Sequence, residues 1–563
     1  MKKIIWISLV SSVCFLSMHW CALAAEIVVD FSETQRGPFK NIAGGINFWG
    51  QNKAQKRFIE EVGTDLYRLK VRLHRVKKSD GGYTNFPWQG DDLTLEDMKT
   101  IVRNMNVAKK KGCQIILQIY GIPAWLSVSK DGQVVTNNLP NFAKYPPEDY
   151  DEWKRLVSAT IQQLEKLGLT RVDYYEIFGE PNAGSTWYMQ MMPCKEKGGA
   201  IVYDCRPNEL GHNALQVMKE FFKIYKFSAA GIRHADPDAK IGGMAVIPNP
   251  SGIWWTRFFT EYVQSHTLPL DFFSWHWYGV DEALSHILGK IGSKELNVAL
   301  VRRFFEGKLR KQGFDDLDIN RIIVDLYIYL KDLKTLTSKA IAYPYSFVSS
   351  HLKRILNQEG LDSTKLFLTE WNVNHVADSR HDTHYGASFI TRGLIDITGS
   401  STEGQNLYVL SNRRVSYHDQ GFGGFYGLFR SDKISSPKAS FNAFRLFAMM
   451  GNRVKSTKVR VFGDDIYAIA TQDGDSASLL LTYYKMAKRP DYGLAQDVTI
   501  SMENIPFSEY TYKVYLIDKD HSNSYYGFGP ELEVVEQGNG SSVLKKKINL
   551  PVYGVWMIQL ERT

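Results

Sequence analysis

Two glutamates, Glu180 and Glu370, each follow a short apolar run that is typical of a buried strand. A carboxylate in such a place costs free energy unless it has partners, which favours a chemical role. Cleavage of a glycosidic bond with retention of configuration needs one carboxylic acid and one carboxylate, about 5 to 5.5 Å apart. The two glutamates therefore predict acid–base and nucleophilic chemistry at a sugar, provided that the fold brings them together.

Polar residues on two other predicted strands can assist such a pair. Arg68 has the reach and the permanent charge to keep the Glu370 carboxylate ionised. His276 and Tyr278 alternate with Trp277, so both can point into one site, where the tyrosine hydroxyl can reach Glu370. The alternative is that Arg68 is a structural ion-pair partner and that the His-Trp-Tyr run is an edge of the core.

Aromatic side chains are abundant, with 30 Phe, 30 Tyr and 13 Trp in 563 residues. Large hydrophobic cores explain most of them. Four lie at predicted strand ends or in nearby loops, where stacking on a pyranose ring and core packing both stay open: Trp125, Phe178, Trp371 and Tyr426.

Strand-like and helical patterns alternate over residues 44–452, as expected for parallel strands joined by crossover helices. The predicted strands are 45–48, 66–71, 114–120, 173–178, 240–245, 271–276, 366–370 and 406–411. Eight such strands predict a closed (β/α)8 barrel of the α/β class, the TIM barrel, in which catalytic groups lie at the C-terminal strand ends. The fourth and seventh strands would then place Glu180 and Glu370 in one site.

Two regions depart from this alternation. Residues 281–345 show helical periodicity and are too long for a simple connection, which predicts a helical insertion after the sixth strand. Strand-like runs follow at 465–471, 477–484, 497–502, 510–518 and 552–560. We therefore expect a C-terminal antiparallel β-sandwich over 453–563, joined by a strand from 25–43.

Residues 1–24 have the features of a secretory signal peptide, with Lys2 and Lys3 before an apolar run and a small-residue cleavage site ending at Ala24. Cleavage would remove two lysines, lower the formal net charge from +8 to +6, and leave a secreted or periplasmic protein without an integral membrane span. In an oxidising compartment Cys194 and Cys205 are expected to form a disulfide. The modest charge excess disfavours nucleic-acid binding.

Other chemistry is poorly supported. The sequence has no phosphate-binding loop, dinucleotide fingerprint or nucleophile-elbow serine. His381 and His384 have a spacing that can bind a metal on a helix, but without a third ligand a surface or substrate contact is favoured. We expect no metal and no organic cofactor. With 44% hydrophobic and 23% charged residues, the composition excludes disordered, collagen-like and multi-span membrane proteins.

Four segments resemble glycoside hydrolase family 39. They are YEIFGEPN at 175–182, LTEWN at 368–372, DFFSWHWY at 271–278 and GIPAWL at 121–126. Further similarity at 382–385 and 423–428 extends the resemblance over about residues 27 to 560. It implies a retaining enzyme with Glu180 as acid/base and Glu370 as nucleophile, and it makes Asn182, which ends the first motif, a candidate substrate contact.

Two positions need comment against the family pattern. The clan of retaining enzymes that includes this family usually has asparagine before the acid/base glutamate, where it hydrogen-bonds the sugar 2-hydroxyl, and this chain has Gly179. An unusual substituent at carbon 2, a donor from another loop and a damaged enzyme are the alternatives. For the active-site arginine, Arg72 fits an Arg-x-His pattern, but we prefer Arg68, which shares a face with Lys70 near the expected strand end.

The sequence thus predicts an exported retaining glycoside hydrolase that acts on an oligosaccharide or polysaccharide by double displacement. A carbohydrate-binding pseudoenzyme, motivated by Gly179, and a transglycosylase on the same scaffold are the alternatives. The sugar, the linkage, exo or endo action and the oligomeric state stay open.

Overall fold

The computed structural model describes residues 25–36, 45–47, 52–63, 65–79, 82–84, 95–110, 112–132, 134–136, 139–183, 187, 193–195, 201–203, 212–292, 295–412, 421–431, 436–451, 453–460, 465–486 and 493–563. The predicted signal peptide lies outside these residues. Cys194 belongs to a short hairpin, Pro193–Lys195 paired with Ile201–Tyr203. Cys205 lies outside the described residues, so the disulfide stays a prediction.

Eight parallel strands form a closed barrel, which confirms the predicted fold class. After a first strand β1 (Ala25–Arg36), the barrel strands in chain order are β2 (Gly45–Asn47), β3 (Leu66–Arg72), β4 (Gln114–Tyr120), β5 (Tyr174–Ile177), β6 (Lys240–Val246), β7 (Phe272–Tyr278), β8 (Lys365–Asn372) and β9 (Gly404–Leu407). Each pairs with its sequence neighbour, and β9 closes the ring on β2 through Leu407 and Ile46. The eighth barrel strand ends at Leu407, four residues earlier than predicted.

Side chains fill the barrel in layers, because alternate residues of each strand point inward. The lowest layer is apolar and consists of Leu66, Ile116, Tyr174, Phe272 and Phe367. The residues two positions further along these strands are polar, and they lead up to the C-terminal mouth. The floor of the barrel is therefore apolar, and the polar residues of the candidate site begin one layer above it.

Helices surround the barrel and carry apolar faces against it. They are α1 (Asn52–Glu61), α2 (Leu95–Lys110), α3 (Tyr150–Lys166), α4 (Ala214–Ala235), α5 (Pro250–Ser265), α6 (Val280–Ile291), α7 (Val298–Lys311), α8 (Asp316–Thr335), α9 (Thr337–Ala342), α10 (Pro344–Gln358), α11 (His384–Gly399) and α12 (Ala439–Ala448). Helices α6 to α9 lie between β7 and the barrel helix α10, in the region where helical periodicity predicts an insertion.

The C-terminal strands form a second sheet with β1. They are β10 (Arg453–Arg460), β11 (Ile466–Asp473), β12 (Ser476–Tyr483), β13 (Gln496–Glu503), β14 (Tyr510–Ile517), β15 (Glu533–Gly540), β16 (Leu544–Leu550) and β17 (Val555–Arg562). The nine-stranded order is β15-β14-β17-β12-β11-β10-β1-β13-β16. Lys546 of one edge strand contacts Glu536 of the other edge strand.

The second sheet packs against the barrel near the insertion. The Tyr484 hydroxyl donates to Asp281 in α6 at 2.7 Å, and Arg392 in α11 donates to the same carboxylate at 2.8 Å. This buried network fixes α6, which follows directly after the strand that carries His276 and Tyr278. Among the described helices, none has an apolar stretch long enough to cross a membrane.

Candidate active site

A buried arginine joins two carboxylates above the barrel floor. Arg68 is fully buried, and its Nε donates to Glu176 Oε2 at 2.7 Å while its Nη1 donates to Glu370 Oε1, also at 2.7 Å. Glu176 is itself fully buried. Burying three charged groups is tolerable here because the fork of the guanidinium satisfies both carboxylates at once.

Glu370 lies two residues before the end of β8 and is surrounded by donors. Its Oε1 also accepts from the Lys70 ammonium at 2.6 Å, and its Oε2 accepts from the Tyr278 hydroxyl at 2.8 Å. Burial alone would raise the pKa of Glu370, but the positive charges of Lys70 and Arg68 and the hydrogen bond from Lys70 outweigh it and hold that pKa well below the usual range. Glu370 is therefore an ionised carboxylate with both oxygens positioned. Burial and the adjacent Glu370 charge raise the pKa of Tyr278 well above its ordinary value, so the hydroxyl stays a donor.

Glu180 lies in a tight turn after β5. Its backbone has a positive φ of 50°, and its N–H donates to the Ala245 carbonyl at 2.9 Å. Its Oε1 lies 2.8 Å from His276 Nδ1, and 17% of its side chain is exposed. The turn thus holds a partly accessible carboxyl group against a buried imidazole.

The two glutamates meet across the barrel. One oxygen of Glu180, one ring nitrogen of His276 and one oxygen of Glu370 all lie within 4.8 Å of one another. That spacing can also suit a cation. Lys70 and Arg68 already neutralise Glu370, however, so the donor set favours a nucleophile with a neighbouring acid over a metal centre.

Gln118 occupies the space beside Gly179. Its Nε2 donates to the Phe178 carbonyl at 2.6 Å, and a Cβ added at Gly179 would lie 2.7 Å from that same nitrogen. Its buried Oε1 has no hydrogen-bond partner among the described residues. A side chain at position 179 would therefore require the Gln118 amide to move away from the Phe178 carbonyl, a hydrogen bond that holds the turn before Glu180.

Known proteins share this architecture. A monomeric β-xylosidase from Caulobacter crescentus CB15 superposes with a TM-score of 0.64 at 15% identity, over 96% of this chain and 100% of that one. A family 39 enzyme from Xanthomonas axonopodis pv. citri gives a TM-score of 0.60 at 16% identity, over 96% and 98% of the two chains. At such identities the likeness establishes the fold.

Sequence comparison adds the family. Residues 206–311 match the profile described as "Glycosyl hydrolases family 39". A β-xylosidase from Geobacillus stearothermophilus is 20% identical over 387 residues, which are 68% of this chain and 60% of the relative. One from Caldicellulosiruptor saccharolyticus is 21% identical over 353 residues, 61% of this chain and 56% of that protein. The matches thus span less than two thirds of either relative.

The comparisons thus make this chain similar to glycoside hydrolase family 39. The resemblance predicted from the motifs is confirmed.

We expect an asparagine at position 179 to be incompatible with the position of Gln118. Gly179→Asn alone should destabilise the fold by about 1 to 3 kcal/mol, because it overpacks a pinned side chain. Gln118→Ser with Gly179→Asn should recover at least half of that loss, which a double-mutant cycle of urea unfolding would measure. Gly132→Asn is the control, since nothing lies within 4 Å of its Cβ position. If the two substitutions changed the free energy of unfolding additively, a direct clash between Gln118 and the side chain at position 179 would be contradicted.

Two predicted stacking residues are corrected by their burial. Phe178 is 1% exposed and packs against Tyr120, Trp153 and Trp187, with ring centroids 5.4 to 6.2 Å apart. Its φ of 56° ends the strand alternation and turns the ring towards the helices. Trp371 is fully buried and donates to Gln405 Oε1 at 2.6 Å. Both rings are core and are closed to a sugar.

Asn182 is also corrected, from a substrate contact to a brace between loops. Its amide donates to the Ile247 carbonyl at 2.8 Å and accepts the Ile247 N–H at 3.0 Å. With 3% of the residue exposed, this two-way bond ties the turn after β5 to the turn after β6.

The remaining predicted aromatic residues lie near the rim. Trp125 is partly exposed, donates to the Val76 carbonyl at 2.7 Å and has the Lys78 ammonium 5.5 Å from its ring. Tyr426 donates to the His375 carbonyl at 2.7 Å, and its ring packs on Tyr408.

The weaker histidine and arginine candidates are also placed. His381 Nε2 lies 3.1 Å from Asn374 Oδ1, whereas the His384 ring packs on Tyr526 and Tyr553, so the two imidazoles contact different partners. Arg72 ends β3 one layer above Lys70, and Arg68 is the arginine that reaches both carboxylates.

Four site residues were missed from the sequence: Lys70, Gln118, Glu176 and Thr369. Each lies on an inward-facing position two or four residues from another predicted site residue or from the barrel floor, so the period of two was a usable signal. What the period did not supply was the partner of each side chain across the barrel.

Proposed function

We propose that this chain is a retaining glycoside hydrolase in which Glu370 is the nucleophile and Glu180 the acid/base. The observation that carries this proposal is the approach of a Glu180 oxygen to within 4.8 Å of a Glu370 oxygen. This spacing is that of a retaining pair, whereas inverting enzymes hold their carboxyl groups about 6.5 to 9.5 Å apart to admit a water molecule.

The first step breaks the bond between the anomeric carbon and the leaving oxygen. Glu370 forms a bond to that carbon, and Glu180 gives its proton to the leaving oxygen. Arg68, Lys70 and Tyr278 hold the carboxylate in one orientation, so little rearrangement is needed before attack.

The second step reverses these roles. A water molecule bonds to the anomeric carbon and passes its proton to Glu180, while the bond to Glu370 breaks. The cations around Glu370 stabilise the carboxylate that departs. Two inversions at the same carbon give net retention.

The β-xylosidase relatives make aryl xylosides the first probes, followed by a panel of plant, host and bacterial glycans.

Export is proposed as well, on the basis of the signal-like residues 1–24. It is checked by N-terminal sequencing of the protein recovered from the periplasm or the medium.

The test of the acid/base uses Glu180→Ala. Turnover of substrates with poor leaving groups should fall about 10² to 10⁴-fold. On a dinitrophenyl glycoside, whose leaving group needs little acid assistance, azide should accelerate the second step and give a glycosyl azide of retained configuration, detected by NMR. Glu148→Ala, which removes a carboxylate that is 55% exposed, is the control. An azide of inverted configuration would overturn the assignment, and glycan binding without turnover by the parent would support a pseudoenzyme instead.

A further inference from the structure

A chain of hydrogen bonds leads away from Glu180 into the barrel. His276 Nδ1 lies 2.8 Å from Glu180 Oε1, and His276 Nε2 lies 3.1 Å from Thr369 Oγ1. The Thr369 hydroxyl in turn donates to Glu176 Oε1 at 2.8 Å. Three of these four residues are at most 1% exposed, and the double displacement gives no task to Thr369 or Glu176.

The far end of this chain fixes the direction of its bonds. Glu176 accepts two hydrogen bonds from Arg68 at Oε2, as an ionised carboxylate does, and a third from the Thr369 hydroxyl at Oε1. Because the Thr369 hydroxyl proton is used in that bond, the Thr369 oxygen accepts a hydrogen bond from His276 Nε2–H. A neutral imidazole with a proton on Nε2 has a lone pair on Nδ1.

We propose that Thr369 is a positioning residue that, with Glu176, holds His276 as the Nε2–H tautomer, so that Nδ1 accepts a hydrogen bond from the protonated Glu180 carboxyl group. This inference rests on the proposed function, because it concerns the proton that Glu180 donates. Before the first step, the Glu180 proton lies in a hydrogen bond from Oε1 to His276 Nδ1, a nitrogen that carries no proton of its own.

The same arrangement serves the second step. Once Glu180 has given its proton to the leaving oxygen, its carboxylate faces the Nδ1 lone pair of His276. Two acceptors 2.8 Å apart without a proton between them repel, which favours capture of a proton from the attacking water. The proton count balances over the cycle, with one proton given and one taken.

A nearby donor makes the tautomer sensitive to Thr369. Arg68 Nη2 lies 3.5 Å from His276 Nε2 and can only donate. Without the threonine oxygen, this guanidinium favours a lone pair on Nε2 and moves the imidazole proton to Nδ1. Nδ1–H would then donate to Glu180 and stabilise its carboxylate, which is the wrong form for the first step.

Thr369→Val tests the tautomer directly, since it replaces the hydroxyl by a methyl group of similar size. With ¹⁵N-labelled histidine, and His276→Gln to assign the signal, we expect His276 to be protonated on Nε2 in the parent and on Nδ1 in Thr369→Val. Thr369→Ser should keep the parent tautomer. The same tautomer in parent and Thr369→Val, or Nδ1–H in the parent, would overturn the inference. This measurement needs no substrate.

Kinetics separate positioning from loss of structure. Acid assistance is worth about 10² to 10⁴-fold for poor leaving groups and little for good ones. For Thr369→Val we expect kcat/KM to fall at least about tenfold on phenyl xyloside and to stay within about twofold on dinitrophenyl xyloside. Equal losses on both would show a merely structural role.

Thr364→Val is the matched control. Its hydroxyl is buried one residue before β8 begins, five residues from Thr369 along the chain, and donates to the Leu270 carbonyl at 2.9 Å. It should leave the ratio between the two substrates unchanged. If no aryl glycoside is turned over by the parent, the proposed function fails while the tautomer result stands or falls by itself.

Discussion

Glu370→Gln is expected to abolish turnover, with a loss on the order of 10⁴ to 10⁶-fold in kcat, the range found when a covalent nucleophile is removed. An amide has the same shape but cannot form the glycosyl ester. The loss should appear on every leaving group, because neither step proceeds without the carboxylate. Mass spectrometry after rapid quenching should show a glycosyl adduct in the parent and none in the variant.

A control must show that the loss of turnover in Glu370→Gln comes neither from misfolding nor from the loss of a negative charge in general. Glu403→Gln is the control, since it changes a glutamate with 48% of its side chain exposed and 3.8 Å from Lys365. Circular dichroism should be unchanged in both variants. Turnover by Glu370→Gln at the parent rate would remove Glu370 as the nucleophile.

The low pKa of Glu370 also sets the pH range in which its carboxylate is ionised and stabilises the fold. In the unfolded chain the pKa of a glutamate is about 4.3. The folded-state pKa is lower, so the carboxylate adds stability that is fully present above the unfolded value and is lost as pH falls through the folded one. A decline of parent activity between pH 6 and 5 would therefore need another titrating group.

Arg68→Met should cost the fold about 3 to 5 kcal/mol, the largest stability effect expected here. The arginine is fully buried, and its removal leaves Glu176 without its charged partner and Glu370 with one cation fewer. Methionine fills similar volume, so the loss reports charge rather than a cavity. Urea unfolding followed by fluorescence measures it.

A matched surface arginine provides the reference. Arg171→Met removes a guanidinium whose side chain is 62% exposed and 3.6 Å from Asp238, so it should change stability by less than about 1 kcal/mol. Arg68→Lys should recover only part of the loss, because an ammonium cannot bridge both carboxylates as a planar fork does. Equal stability of the Arg68→Met and Arg171→Met variants would contradict the buried network.

The sequence predicted the barrel because its strands are nearly continuous apolar runs between periodic helices. It missed β10, β15 and β16 of the second sheet, and the reason is exposure. β15 and β16 are the two edges of the nine-stranded order, where one or both faces meet water and no apolar alternation is required. β10 reads RVKSTKVR and shows no apolar run either.

The glutamates were found for a simple physical reason. A TIM barrel gathers its C-terminal strand ends in one place, so any carboxylate at the end of an apolar strand becomes a candidate without knowledge of its neighbours. The aromatic predictions failed where local geometry decides direction. Trp371 follows an inward glutamate and so points outward, and a left-handed φ at Phe178 reverses the expected side.

Periodicity and strand-end position are local properties of the chain, so they were enough to predict the barrel and the two glutamates that face its mouth. The tertiary structure decided the partners: that Arg68 bridges Glu176 and Glu370, that Lys70 adds a second cation, and that Gln118 fills the place beside Gly179. These contacts join strands far apart in the chain. The direction of each hydrogen bond then depends on which groups are already donating, which only the assembled barrel defines.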